Sequence, residues 1–135
     1  MMGETGAMEK LIIEATRSTP CILFDPEANV LRMKGESYPE NAARFFAPVF
    51  AWMEKYLSLQ DHKRITVDVE LTYFNSSSSK ALMNFFEMLE GAVSSGHQVV
   101  VNWRYHQENE LAFECGEELK EDAPSLTFEF IPVAG

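Results

Sequence analysis

The chain has 135 residues, the length of one ordinary domain, and at that size folding buries roughly two-thirds of the unfolded surface without help from metals or disulfides. Its 46% hydrophobic and 12% aromatic content excludes a disordered polymer. A net charge of −10 opposes approach to a phosphate backbone or an anionic membrane, so a protein is the expected partner and nucleic acid is not.

Cys21 and Cys115 lie far apart, with neither CxxC nor Cys/His ligand spacing, so no metal site, redox pair or cofactor is expected and both read as small apolar residues. The opening "MMGETGAMEK" lacks a basic start followed by an apolar stretch. No run reaches the roughly 18 apolar residues that cross a bilayer. A cytoplasmic protein without membrane insertion is expected.

Residues 1–17 read as a flexible lead-in, small and charged over 1–10. "CILFD" from Cys21 and "NVLRMKG" from Asn29 are short apolar runs separated by Pro26, Glu27 and Ala28, the pattern of an antiparallel hairpin. "SYPENAARFFAPVFAWMEKYLSL" then carries Ala42, Phe46, Val49, Phe50, Met53 and Leu57 at helical spacing, with a bend expected at Pro48. Ser37 as cap, Pro39 in the first turn and Glu40 completing a capping box would start that helix.

"RITVDVELTYF" alternates: Ile65, Val67, Val69, Leu71 and Tyr73 on one face, Thr66, Asp68, Glu70 and Thr72 on the other. A strand that buries one face suggests helices mainly on one side of its sheet, or an exposed position in the sheet; the first is expected here. After the serine run, Leu82, Phe85, Phe86, Leu89 and Val93 form the inner stripe of a second helix ending at Ser94 to Gly96. "QVVVNWRYH" alternates again, a third helix is expected over 108–120, and "SLTFEFIPV" closes as a strand with Leu126, Phe128 and Phe130 inward. The order ββαβαβαβ, without internal repeat or linker, predicts a single α/β domain over 1–135 with right-handed crossovers and a mixed sheet of about five strands.

No GxSxG, Walker loop, GxGxxG or HExxH is present. His62, His97 and His106 fall at loops or strand edges, with structural or solvent-exposed roles expected. Asp68 and Glu70 share a strand face at roughly 7 Å by strand geometry, which suits either a carboxylate pair for acid–base chemistry or, preferred here, a solvated face. Glu117, Glu118, Glu121 and Asp122 read as a wet helix end.

The segment "TYFNSSSSKALMNFF", Thr72 to Phe86, sets four serines between a strand and a helix. Asn75 or Ser76 suits an N-cap, worth about 1 kcal/mol, and capping accounts for one or two of these residues. The same place suits a phosphoserine: a helix N-terminus offers free N–H donors and partial positive charge, and Lys80 adds a cation. Roughly −1.5 to −2 added charges would block a partner packing there. Both readings stand on the residues alone.

"GESYPENAARFF" from Gly35, "LTYFNSSSSKALMNFF" from Leu71 and "VNWRYHQENE" from Val101, in this order and spacing, resemble the SiaC family of bacterial regulatory phosphoproteins over about Ser18 to Val133. The resemblance implies a fold similar to the anti-sigma-factor antagonist (STAS) domain and a non-enzymatic switch. A partner kinase would phosphorylate one hydroxyl, a PP2C-like phosphatase would remove the phosphate, and the unmodified form would bind and activate a diguanylate cyclase controlling biofilm formation. Position by position, the family's phosphoacceptor, expected as threonine, falls on Ser76, with Ser77 and Ser78 as neighbouring candidates. Tyr73, Asn75, Ser77 and Lys80 would dock the partner, and Tyr38, Glu40 and Asn41 would build a kinase or partner surface. Two alternatives stay open: a STAS-type antagonist binding an anti-sigma kinase through the same serine, and a small enzyme using Asp68 and Glu70.

Overall fold

The protein is described from a computed structural model, over residues 8–59 and 63–134. Its elements in chain order are β1 (Leu11–Ile13), β2 (Cys21–Asp25), β3 (Val30–Ser37), α1 (Ala42–Ser58), β4 (Arg64–Phe74), α2 (Ser76–Ser94), β5 (Gln98–His106), α3 (Glu110–Asp122) and β6 (Thr127–Val133). The strands form one six-stranded sheet in sequence order. β1, β2 and β3 pair antiparallel, whereas β3, β4, β5 and β6 pair parallel, each parallel crossover being a helix.

The expected hairpin is β2–β3. Its turn places Asn29 at φ 58, the left-handed region that asparagine tolerates, and Asp25 Oδ1 accepts from the N–H groups of Glu27 and Ala28. The sheet has six strands rather than about five because Leu11–Ile13, read from sequence as lead-in, pair with β2. That short strand is held further by the Trp52 indole, which donates to the Glu9 carbonyl at 2.8 Å.

Alternation decides the layering. Ile65, Val67, Val69 and Leu71 of β4, Val99, Val101 and Trp103 of β5, and Leu31 and Met33 of β3 are buried on one face, against Phe46, Val49 and Met53 of α1, Leu82, Phe85 and Leu89 of α2, and Leu119 of α3. All three helices cover that face, as the alternation requires. On the opposite face Asp68 is flanked by Arg32 and Arg104.

α1 runs from Ala42 through Pro48 to Ser58, starting later than the capping-box pattern suggests. Its N-cap is Asn41, whose Oδ1 accepts from Arg44 N–H at 3.0 Å, so Ser37, Pro39 and Glu40 precede the helix. The three parallel crossovers share one device: Asn41, Asn75 and Asn109, evenly spaced along the chain, cap α1, α2 and α3. In this local repeat of strand, cap and helix, the asparagine recurs at each helix start, its side-chain oxygen accepting a backbone N–H.

Candidate functional site

The parallel strands end on the edge where the helices begin. That edge gathers the Tyr38–Asn41 segment after β3, the Tyr73–Lys80 segment after β4, and the His106–Asn109 segment after β5. The last two are joined by Asn109 Nδ2, which donates to the Thr72 carbonyl at 2.9 Å.

Asn75 caps α2: its backbone is extended (φ −87, ψ 178) and its Oδ1 accepts from Ser78 N–H at 2.9 Å. Ser79 N–H donates to the Asn75 carbonyl at 2.9 Å, the first intrahelical bond. The N–H groups of Ser76 and Ser77 donate to no acceptor among the described residues, leaving two free donors at the positive end of a 19-residue helix.

Successive helical residues turn by about 100°, and the four serines accordingly meet four surroundings. Ser76 and Ser77 are exposed. Ser78 is fully enclosed, its hydroxyl 2.7 Å from that of Ser37. Ser79 is half-buried, on the side of the helix start that faces Cys115 of α3. Burial pushes the Cys115 thiol up, the neighbouring Ser79 hydroxyl opposes that, and the nearby Glu118 charge adds to it. Of the neighbouring candidates, Ser78 offers no accessible oxygen without opening the first turn; Ser77 remains open to solvent.

Tyr73 is 54% exposed, the rim of this edge rather than the inward residue its alternation suggests. The Tyr38 ring meets it edge-on with centroids 5.7 Å apart. Lys80 is exposed and makes no ion pair among the described residues. An open groove of about 640 Å³ between the first turns of α1 and α2 is lined by Glu40, Asn41, Phe46, Ser77, Lys80 and Asn84, among others. Every residue expected at the site from sequence therefore lies on this one edge or, in the case of Ser78, directly beneath it. Two residues not expected there from sequence also lie at this edge: Ser37, paired with Ser78, and Asn84, lining the groove. Ser37 looked like a helix cap; Asn84 carried no signal beyond facing solvent.

The other chemistry considered from sequence is engaged in the sheet. Asp68 lies 3.5 Å from Arg32 and 3.4 Å from Arg104 and accepts from Asn102 Nδ2 at 2.9 Å. Glu70 lies 3.8 Å from His106. His97 is buried, its Nδ1 accepting from Lys63 N–H at 3.0 Å, and His62 lies outside the described residues. Cys21 and Cys115 are both half-buried free thiols. Among the described residues no group of His, Cys, Asp and Glu is arranged to hold a metal ion, and no helix is long and apolar enough to cross a membrane.

The family model of SiaC family regulatory phosphoproteins matches residues 13–133. An uncharacterized protein of Pseudomonas aeruginosa (strain UCBPP-PA14) is 40% identical over 115 residues, which is 85% of this chain and 90% of that protein. The crystal structure of apo-SiaC from Pseudomonas aeruginosa superposes with a TM-score of 0.81 at 38% identity, covering 92% of this chain and 99% of that one. A chain of the crystal structure of the diguanylate cyclase SiaD in complex with its activator SiaC, also from Pseudomonas aeruginosa, superposes with a TM-score of 0.84 at 39% identity, covering 91% of this chain and 99% of that one. With the family model spanning nearly all of the described fold and relatives of this identity covering most of their own length, the chain belongs to the SiaC family of regulatory phosphoproteins.

Proposed function

We propose that the chain is a non-enzymatic switch that binds and activates a diguanylate cyclase when unmodified and releases it when Ser76 carries a phosphate. The observation that carries the reading is the placement of Ser76: exposed, first in α2, next to two backbone donors and one turn from Lys80, none of which finds a partner among the described residues. The likeness to the SiaC chain found with SiaD supports the identity of the partner.

The physics of the switch is local. A phosphate on Ser76 finds the helix dipole, the Ser76 and Ser77 N–H groups and Lys80, so the protein itself tolerates the modification. A partner docked over Tyr73, Asn75, Ser77 and Lys80 would have to desolvate the same dianion, on a chain already at −10. A coupling of about 1–3 kcal/mol changes partner affinity roughly 5- to 150-fold, enough for regulation. Tyr38, Glu40 and Asn41 extend the surface on which a kinase, a PP2C-like phosphatase and the cyclase would compete.

The test is affinity purification of the tagged chain from its own host, comparing wild type, Ser76→Ala and Ser76→Asp. Recovery of a diguanylate cyclase with the first two and its loss with the third is expected. Recovery of an anti-sigma kinase instead, or equal recovery of the cyclase by all three, overturns the reading.

A further inference from the structure

Ser37 and Ser78 form a buried pair that a helix cap does not require. Both side chains are fully enclosed, and the hydroxyls are 2.7 Å apart. Two further bonds close a ring through Asn75: its N–H donates to the Ser37 carbonyl at 3.0 Å, and its Oδ1 accepts from Ser78 N–H at 2.9 Å. The end of β3 thus grips the first turn of α2 by backbone, cap and side chain together.

A helix start frays readily, because its first N–H groups lack intrahelical partners. An apolar residue at position 78 would face inward by packing alone, but without a fixed hydrogen-bond direction. The hydroxyl pair supplies that direction, and since successive residues turn by about 100°, holding Ser78 inward sets where Ser76 and Ser77 point. A run of four serines otherwise offers a kinase several chemically equivalent hydroxyls.

We infer that Ser37 is a positioning residue that selects Ser76 within the serine run by locking Ser78 beneath it. The inference rests on the proposed phosphoswitch and deepens it. In the transfer itself the Ser76 Oγ–P bond forms and the bond from the γ-phosphorus to the β–γ bridging oxygen of a nucleoside triphosphate breaks. The diphosphate leaves and the hydroxyl proton passes to a base on the kinase. Ser37 touches none of these atoms; it acts through Ser78.

The experiment is phosphopeptide mapping of full-length wild type, Ser37→Ala and Ser37→Ala/Ser78→Ala purified from the native host, with melting curves for each. Removing one hydroxyl orphans the other in the interior and lowers stability, whereas removing both leaves no unpaired group and returns the melting temperature toward wild type. In the double variant the lock is still absent. The ratio of phosphate on Ser76 to phosphate on Ser77 and Ser79 is therefore expected to fall about tenfold in a folded protein, the scale of one lost buried hydrogen bond. A wild-type ratio in the double variant overturns the inference and leaves the phosphoswitch standing. A wild-type chain with no phosphate anywhere in the run under any growth condition overturns both.

Discussion

Tyr38 and Tyr73, from segments far apart in the chain, meet ring edge to ring face with centroids 5.7 Å apart, and Tyr73 keeps 54% of its surface in solvent. The contact welds the segment after β3 to the segment that carries the serine run, so the two motifs make one surface.

Tyr73→Ala is expected to weaken the proposed cyclase complex by about tenfold or more while lowering the melting temperature by only a few degrees, the scale of one lost ring contact. An exposed aromatic on the proposed docking surface would contribute to binding more than to folding. Titration calorimetry beside a thermal melt checks both halves; a large loss of stability with unaltered affinity would place Tyr73 in the fold and not in the interface.

The asparagine cap of α2 carries its own expectation. Asn75→Ala removes the acceptor for Ser78 N–H and should cost about 1 kcal/mol of unfolding free energy. Urea denaturation reads this directly, and the matching Asn109→Ala change in α3, which removes the acceptor of Ala112 N–H, should cost a similar amount.

α3 lies so close to the sheet that a Cβ built on Gly116 comes within 2.6 Å of Trp103 Nε1 and 2.9 Å of Phe130 Cε1. Trp103 cannot easily give way, because its indole donates to the Ala112 carbonyl at 2.9 Å in the interior. Gly116→Ala is expected to destabilise by about 1–3 kcal/mol through overpacking, despite alanine's better helix propensity. A Gly116→Ala protein as stable as wild type in denaturant would contradict this packing.

Burial pushes the Tyr56 phenol far up from its ordinary range, and the Asp25 charge adds to the shift. Its hydroxyl donates to Asn29 Oδ1 at 2.6 Å. The unfolded chain releases this proton near pH 10 and the folded chain holds it to a higher pH. The contribution of Tyr56 is therefore intact below about pH 10 and lost as the pH rises from there toward the folded value. Stability measured from pH 9 to 11 should fall in wild type and fall less steeply in Tyr56→Phe, which starts lower for want of the bond to Asn29.

Much of this fold is legible in the sequence. The strict alternation from Ile65 to Leu71 points to a strand that buries one face, as in a sheet covered on one side, and the strand-to-helix junction offers Asn75 or Ser76 as the cap, of which Asn75 takes the role. What failed to show had tertiary causes. Leu11–Ile13 are too short a run to read as a strand until β2 pairs with them. Ser37, Pro39 and Glu40 match a capping box, yet the Ser37 hydroxyl is taken by Ser78 and Asn41 caps instead. A signal for the burial of Ser78 did exist: it begins the inward stripe continued by Ala81, Leu82 and Phe85, but a polar residue in a serine run masks that periodicity.

The central claim is that one phosphate on Ser76 decides whether the partner binds. The most direct measurement is the affinity of the purified diguanylate cyclase for two forms of this chain, unmodified and singly phosphorylated on Ser76, by titration calorimetry at fixed salt. Tight binding of the unmodified form and binding weakened about 5- to 150-fold by the phosphate is the expected result. Equal affinity of the two forms would contradict the switch and leave the serine run as the start of a helix.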